Sequence, residues 1–517
     1  VVAGHRFTSF PLSVSIRHVP PFVVTDASSF RLPAEGSAPS PGTRSPFVRW
    51  LQANAHQYPS AVALCSARGE WRNEELAAWA ERAGSLLRAR GLVAGDAVGS
   101  AGGASDLALA ALACSAAKVV FLPLDPLLAE AAWPGLQALA GGRLQRLSPL
   151  PEGLHRLPAA PGPLVAGQVT SDAATDLALL IATSGSEGAP KVVMLSEANI
   201  EAAAGAANER LPLHVGDVWL ACLPLHHIGG MAILGRCLRA AATLLLHDGF
   251  SPAAVWDDLH TWRVSHLSLV PAMLARLLDV AQGAPPPGSL RHALIGGAAL
   301  SRPLFERALA SGWPIHPSWG MSESTAQAAT LLRPDGDWQV GDVGHLLAGL
   351  HARVAADGRL HLRGAQVMAG YLNPAWRRGD GLDGDGWLAT GDLGTIDADA
   401  RLRILGRADD MLISAGVNVH PLEIESCLAA CPGVGDVAVT AVADPVWGDL
   451  LVALVVGPAE PALLHDWIRQ HLVAAKRPRR VLRLDALPRN ALGKIERRAL
   501  RALAQGDDEV GRLRAFR

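Results

Sequence analysis

The run Leu177–Ala182 is apolar throughout and leads directly into Thr183-Ser-Gly-Ser-Glu-Gly-Ala-Pro-Lys191. A short run without polar positions reads as a strand buried on both faces, which requires layers of helix on either side. The loop that follows is built for an anion. Its glycines permit tight turning, and successive backbone N–H groups in such a turn form a concave nest, to which the hydroxyls and the terminal lysine add donors. A polyphosphate is the natural occupant, although the spacing is not that of the G-x-x-x-x-G-K-[ST] loop. Taken alone, the stretch reads equally as a Gly/Ser surface turn. Lysine usage favours the anion site: it occurs only at 118, 191, 476 and 494, so nearly all of the 46 cationic residues are arginine. A compact ammonium is kept at the end of this loop, and again at Lys494 in Pro488-Arg-Asn-Ala-Leu-Gly-Lys-Ile495.

The same alternation of short apolar runs and Ala-rich helical segments extends through the strands expected near 96–100, 118–124, 180, 220, 245 and 268. It places the chain in the α/β class. At 517 residues the chain exceeds one compact core. Residues 1–47, rich in Pro, Ser and Val, read as a flexible extension without the basic and apolar segments of a signal peptide. Residues 48–405 make up the main body, 406–410 read as a linker, and 411–517 as a small α+β unit. No apolar run is long and clean enough for a membrane span. The net charge of −2 gives no footprint for a nucleic-acid partner. The six cysteines are scattered and fit a reducing, cytoplasmic setting. Cys427 and Cys431 lack the further ligands of a zinc site.

Further chemistry sits where strands end. Leu220-Ala-Cys-Leu-Pro-Leu-His-His-Ile-Gly-Gly230 ends a strand in two histidines. A histidine of this pair reads as lining a pocket beside the Gly/Ser loop, while a hydrogen-bonded core role stays open for His226. In Leu294-Ile-Gly-Gly-Ala-Ala-Leu300 the glycines let a flat ligand approach the backbone. His316-Pro-Ser-Trp-Gly-Met-Ser-Glu323 offers a ring for stacking and, at Glu323, a hard oxygen for Mg²⁺. Asp392 lies in a turn, where its carboxylate suits the two hydroxyls of a ribose.

Taken in order, the loops at 183–191, 319–323, 390–392, 406–410 and 488–494 resemble the adenylate-forming superfamily of acyl-CoA synthetases, peptide-synthetase adenylation domains and luciferases. The resemblance spans roughly 48–500. It implies a large multi-subdomain N-terminal domain and a small mobile C-terminal one, with ATP, Mg²⁺ and CoA as cofactors and a small carboxylic acid as substrate. Carried over by position, Thr183, Ser184, Gly185, Ser186, Gly188 and Lys191 form the phosphate loop. Gly296, Gly297 and Ala298 flank adenine; Trp319, Gly320 and Ser322 complete that side, with Trp for the usual Tyr and Ser for the usual Thr. Glu323 is the Mg²⁺ carboxylate, Asp392 and Arg407 hold the ribose, Asp409 is the hinge, Gly416 lines the CoA channel, and Lys494 is the adenylation lysine. His227 is the gate between the ATP and acyl pockets. Glu187 and Val192 depart from the usual Thr and Gly, and Glu187 must point away from a triphosphate or meet a cation.

Within the superfamily, Leu223–Leu234 and Val264–Leu274 resemble the o-succinylbenzoate–CoA ligases of menaquinone synthesis. A medium-chain or aryl acyl-CoA ligase, and a stand-alone protein that loads a carrier, are the alternatives.

Overall fold

Residues 45–147, 176–183, 191–414, 416–489, 495–506 and 512–513 are described by the structure, a computed structural model. Its centre is a run of parallel strands, Val218–Ala221, Thr243–Leu246, His266–Leu269, His292–Ile295 and Ile315–Met321, paired in register through Leu267↔Ala293 and Ala293↔Ile315. The first four are almost wholly buried, as short apolar runs require of strands covered on both faces, while Ile315–Met321 opens toward its C-terminal end. From Ala326–Thr330 onward the pairing turns antiparallel, and the sheet continues through Asp342–Leu346, Leu402–Arg407, Leu388–Ile396, Arg359–Gly364 and Leu350–Val354.

A second sheet of six strands carries the Gly/Ser loop. Its order runs Gly370–Tyr371, Lys191–Ser196, Leu177–Thr183, Val120–Leu124, Ala97–Ala101, Leu144–Arg146. The Ala-rich helix Ala104–Ala117, buried along nearly its whole length, packs in the core between sheets. Asn73–Ala89 turns one apolar face inward, burying Leu76, Trp79, Ala80, Ala83 and Leu87.

Two features were not anticipated. Helices 46–57 and 73–89 are separated by a hairpin, Val62–Ser66 with Gly69–Arg72. The Gly/Ser loop joins not a strand to a helix but two antiparallel strands, because Lys191–Ser196 pairs along Leu177–Thr183 before the helix begins. That helix, Glu197–Arg210, starts at a reciprocal cap: Ser196 Oγ accepts from the Asn199 N–H at 3.1 Å, and Asn199 Oδ1 accepts from the Ser196 N–H at 2.9 Å. The ordered helix at the N-terminal side opens at Pro46 with Phe47 buried, so these two residues belong with the core rather than with the extension ending at 47.

Residues beyond Leu412 build their own hydrophobic clusters around the hairpin Asp436–Asp444 and Gly448–Val456, covered by helices Pro421–Ala429, Pro461–His471 and Arg497–Gln505. A large α/β domain is thus followed by a smaller α+β domain. Cys427 and Cys431 are free thiols of this second core. Among the described residues, no helix is long and apolar enough to cross a membrane.

Candidate active site

Two neighbouring central strands deliver site residues at their C-terminal ends. Ile295 runs into the Gly296-Gly297-Ala298 turn, and the next strand carries Trp319 and Gly320 before the short turn Ser322–Ser324. Gly320 is demanded by crowding, since a Cβ there would collide with the Ala326 carbonyl of the neighbouring strand. The turn bearing Glu323 is fastened on both sides. Ser324 Oγ, fully buried, accepts from the Met321 N–H at 3.0 Å; Thr325 Oγ1 donates to the Gln366 carbonyl at 2.7 Å; and the Met368 N–H donates to the Glu323 carbonyl at 2.8 Å.

Asp392 and Arg407 stand directly opposite one another on antiparallel strands, with Arg407 Nη1 donating to Asp392 Oδ1 at 3.2 Å. The guanidinium lies against the backbone of Gly391, where any side chain would run into it. Arg407 Nη2 also reaches Asp409 at 3.2 Å. Burial alone would lower the Arg407 pKa, but the two carboxylates outweigh it and hold the cation above its ordinary value. The other oxygen of Asp392 accepts from the Trp319 indole N–H at 2.8 Å. Trp319 is only 8% exposed and packs into the main core. Its visible work is therefore to hold Asp392, which unites the expected adenine-side and ribose-side residues in one chain of bonds.

On the second sheet, Thr183 and Lys191 pair across the base of the hairpin, with Thr183 Oγ1 on the Lys191 carbonyl at 3.2 Å. Lys191 is exposed, and its ammonium stands 5.2 Å from the centroid of the Tyr371 ring. Tyr371 Oη donates to Glu323 Oε1 at 2.8 Å. Tyr371 was not singled out from the sequence. The one available signal was rarity, as the chain holds only two tyrosines.

His227 stands at the N-terminal boundary of the helix Ile228–Ala240 without a side-chain capping bond, and lies ring to ring with His226 at 4.4 Å. His226 Nε2 faces Asp125 at 3.8 Å; burial lowers its pKa and the carboxylate opposes that. Gly416 lies exposed between the short strands 412–414 and 417–419 of the small domain. Ser184, Gly185, Ser186, Glu187, Gly188 and Lys494 fall outside the described residues.

The donor chemistry fits Mg²⁺. Glu323 presents a carboxylate with one oxygen engaged by a phenol. Among the described residues no cluster of three or more His, Cys, Asp or Glu side chains could hold an ion unaided. An ion bound through one carboxylate takes its remaining ligands from phosphates and water, the usual arrangement for Mg²⁺.

Residues 143–372 match the AMP-binding enzyme family and residues 423–494 match the AMP-binding enzyme C-terminal domain. Among curated proteins, the chain is 33% identical over 338 residues to a 2-succinylbenzoate–CoA ligase of Bacillus cereus, covering 63% of this chain and 70% of the relative. A namesake from Bacillus mycoides is 33% identical over 337 residues, with the same coverage. Among solved structures, the o-succinylbenzoate CoA synthetase of Bacillus subtilis with its acyl-adenylate intermediate superposes with a TM-score of 0.76 at 28% identity, over 90% of this chain and 99% of that one. ATP-bound MatB from Rhodopseudomonas palustris gives 0.77 at 26% identity, again over 90% and 99%.

Proposed function

Because the chain belongs to the AMP-binding enzyme family, we propose that it is an ATP-dependent acid–CoA ligase acting on 2-succinylbenzoate, in the cytoplasm and in the service of menaquinone synthesis. What carries the substrate is the 33% identity to 2-succinylbenzoate–CoA ligases over 70% of their length.

In the first half-reaction a carboxylate oxygen of the acid attacks the α-phosphorus of ATP. The bond to the β-phosphate oxygen breaks, and pyrophosphate leaves an acyl-adenylate behind. Charge grows on the transferring and departing phosphates, and fixed donors lower the barrier because they need not reorganise. Thr183–Lys191 supplies such donors, and Lys494 is assigned to the α-phosphate. Glu323 would hold Mg²⁺, which when bound neutralises phosphate charge. Asp392, held from both sides by Trp319 and Arg407, accepts the ribose hydroxyls, while Gly296–Ala298 lies along adenine.

In the second half-reaction the CoA thiol, losing its proton, attacks the acyl carbon, and AMP leaves. His227 separates the two pockets. Asp409 is the point about which the small domain turns, bringing Gly416 to the CoA path. Residues 48–405, 406–410 and 411–517 are the two bodies and their hinge in this scheme.

The test is an acid panel scored by pyrophosphate release and by CoA thioester. The expected result is a higher kcat/KM for 2-succinylbenzoate than for benzoate or octanoate. Equal turnover of octanoate would replace the substrate by a medium-chain acid. Pyrophosphate release without thioester formation from CoA would point to a carrier protein as acceptor.

A further inference from the structure

The chain nearly dispenses with tyrosine, keeping Tyr58 and Tyr371. Tyr371 lies where two sheets meet at the site. Its strand, Gly370–Tyr371, pairs with Lys191–Ser196 so that Tyr371 faces Val193. Side chains two apart on a strand share a face, which puts Lys191 beside the phenol ring. The segment is stitched to both neighbours. The Ala369 and Leu372 N–H groups donate to the Met194 and Val192 carbonyls at 2.9 and 2.8 Å, while the Met368 N–H donates to the Glu323 carbonyl at 2.8 Å. Its own N–H donates to the Asp380 carbonyl at 2.9 Å. Gly381 lies against the ring, and a Cβ there would run into Cδ2 and Cε2. The ring therefore has little room to turn.

From this placement we propose that Tyr371 is the positioning residue that ties the two sheets' contributions to the nucleotide site together: its hydroxyl orients the Glu323 carboxylate and its ring seats the Lys191 ammonium. The inference rests on the assignment of ATP and Mg²⁺ to this site, but not on the identity of the acid.

The hydroxyl bond, at 2.8 Å to Glu323 Oε1, is charge-assisted and fixes which carboxylate oxygen remains for an ion. The ring at 5.2 Å attracts the ammonium through its negative face. A carboxylate on one sheet and a lysine on the other are thus indexed to one rigid side chain.

The test uses the full chain with Tyr371→Phe, which keeps the ring and removes the hydroxyl, and Tyr371→Leu, which removes both. ATP binding is followed by calorimetry as Mg²⁺ is raised, without acid or CoA, alongside thermal melting. Tyr371→Phe is expected to raise the half-saturating Mg²⁺ about tenfold, the usual effect of losing a hydrogen bond to a charged group. Its ATP affinity at saturating Mg²⁺ should stay within about twofold of wild type, since the cation–π contact survives. Tyr371→Leu should weaken ATP at saturating Mg²⁺ as well. Should the leucine variant fail to fold, the phenylalanine variant carries the test. A Phe variant with the wild-type Mg²⁺ requirement would overturn the proposal. Wild-type protein that binds no ATP at any Mg²⁺ would overturn it together with the nucleotide site. Tight ATP binding without turnover of 2-succinylbenzoate, with the Phe effect present, would remove only the substrate and uphold the proposal.

Discussion

The strands His266–Leu269, His292–Ile295 and Ile315–Met321 end in two very different surroundings. At their C-terminal ends lie the Gly296–Ala298 turn and the turn of Glu323, both only partly buried, the second fastened by hydrogen bonds. At their N-terminal ends a row of rings crosses the sheet. Trp219, His266, His292 and His316 follow one another with centroids 4.9, 4.8 and 5.1 Å apart, and His292 Nδ1 meets His316 Nε2 at 3.0 Å. His266 and His316 are 0% and 3% exposed. Ligands of open parallel sheets bind outside the carboxyl ends of the strands, so the opposite end is free to be filled for packing alone. Histidine, the residue most often read as catalytic, is here a packing element. The difference teaches that its role is set by which end of a strand it occupies and what covers it.

Electrostatics separates the two ends further. Burial pushes His266 down to about 3, with His292 and Arg291 adding to the shift while Asp217 and the Leu211 carbonyl oppose it. His292 is pushed to about 4 by burial, His316 and the nearby Arg291 and Arg333, against Asp217, and burial lowers His316. The row is stable only while uncharged.

The largest expected effect belongs to the open end. Glu323→Gln should cut pyrophosphate release by about 10²–10³-fold, the scale of losing a fixed charge contact in a transition state, with an unchanged acid-unfolding profile. Near-normal release from a folded variant would make Glu323 as structural as the histidine row and erase the contrast. The next effect concerns that row. Folded pKa values below the ordinary 6.5 mean that the unfolded chain binds more protons, so stability is complete above about pH 6.5 and falls as pH drops toward 4 and 3. For fully buried His266 the loss at pH 5 is on the order of 2 kcal/mol. His266→Leu should remove that share of the pH dependence, measured as denaturant midpoints between pH 7 and 5, while leaving ATP affinity unchanged. An unaltered slope would mean the row tolerates charge. The smallest effect is at the rim. Arg291 pairs with Asp217 at 2.7 Å but is largely exposed, so Arg291→Ala should change stability at pH 7 by less than about 1 kcal/mol. It should also slightly lessen acid sensitivity, because one repulsive cation leaves the row. Greater acid sensitivity would reverse the assigned sign.

Patterns that depend on neighbours in the chain were readable, and those that depend on distant partners were not. The helix start at Ser196 is of the first kind, because capping is a local contest between hydroxyl and backbone. The buried parallel strands followed from their unbroken apolar runs. The strand Lys191–Ser196 did not, because Val192–Leu195 is short enough to suit either strand or helix. Asp392 reads as a ribose ligand and Arg407 joins it through family resemblance, yet only the antiparallel register places them face to face. Trp319 was expected as a stacking surface, whereas burial turns its indole N–H onto Asp392. Tyr371 lies 48 residues from Glu323, and no periodicity links them.

Sparing use of lysine has a practical consequence. Lys118 is held by Glu197 at 2.8 Å and Lys476 by Glu423 at 2.6 Å, whereas Lys191 stands exposed over its ring. Among the described residues, Lys191 is thus the one lysine not engaged by a carboxylate. An amine-directed reagent should therefore label Lys191 ahead of the carboxylate-paired Lys118 and Lys476. On the proposed assignment of Lys191 to ATP, bound ATP should shield that label, read by mass spectrometry without any substrate being turned over.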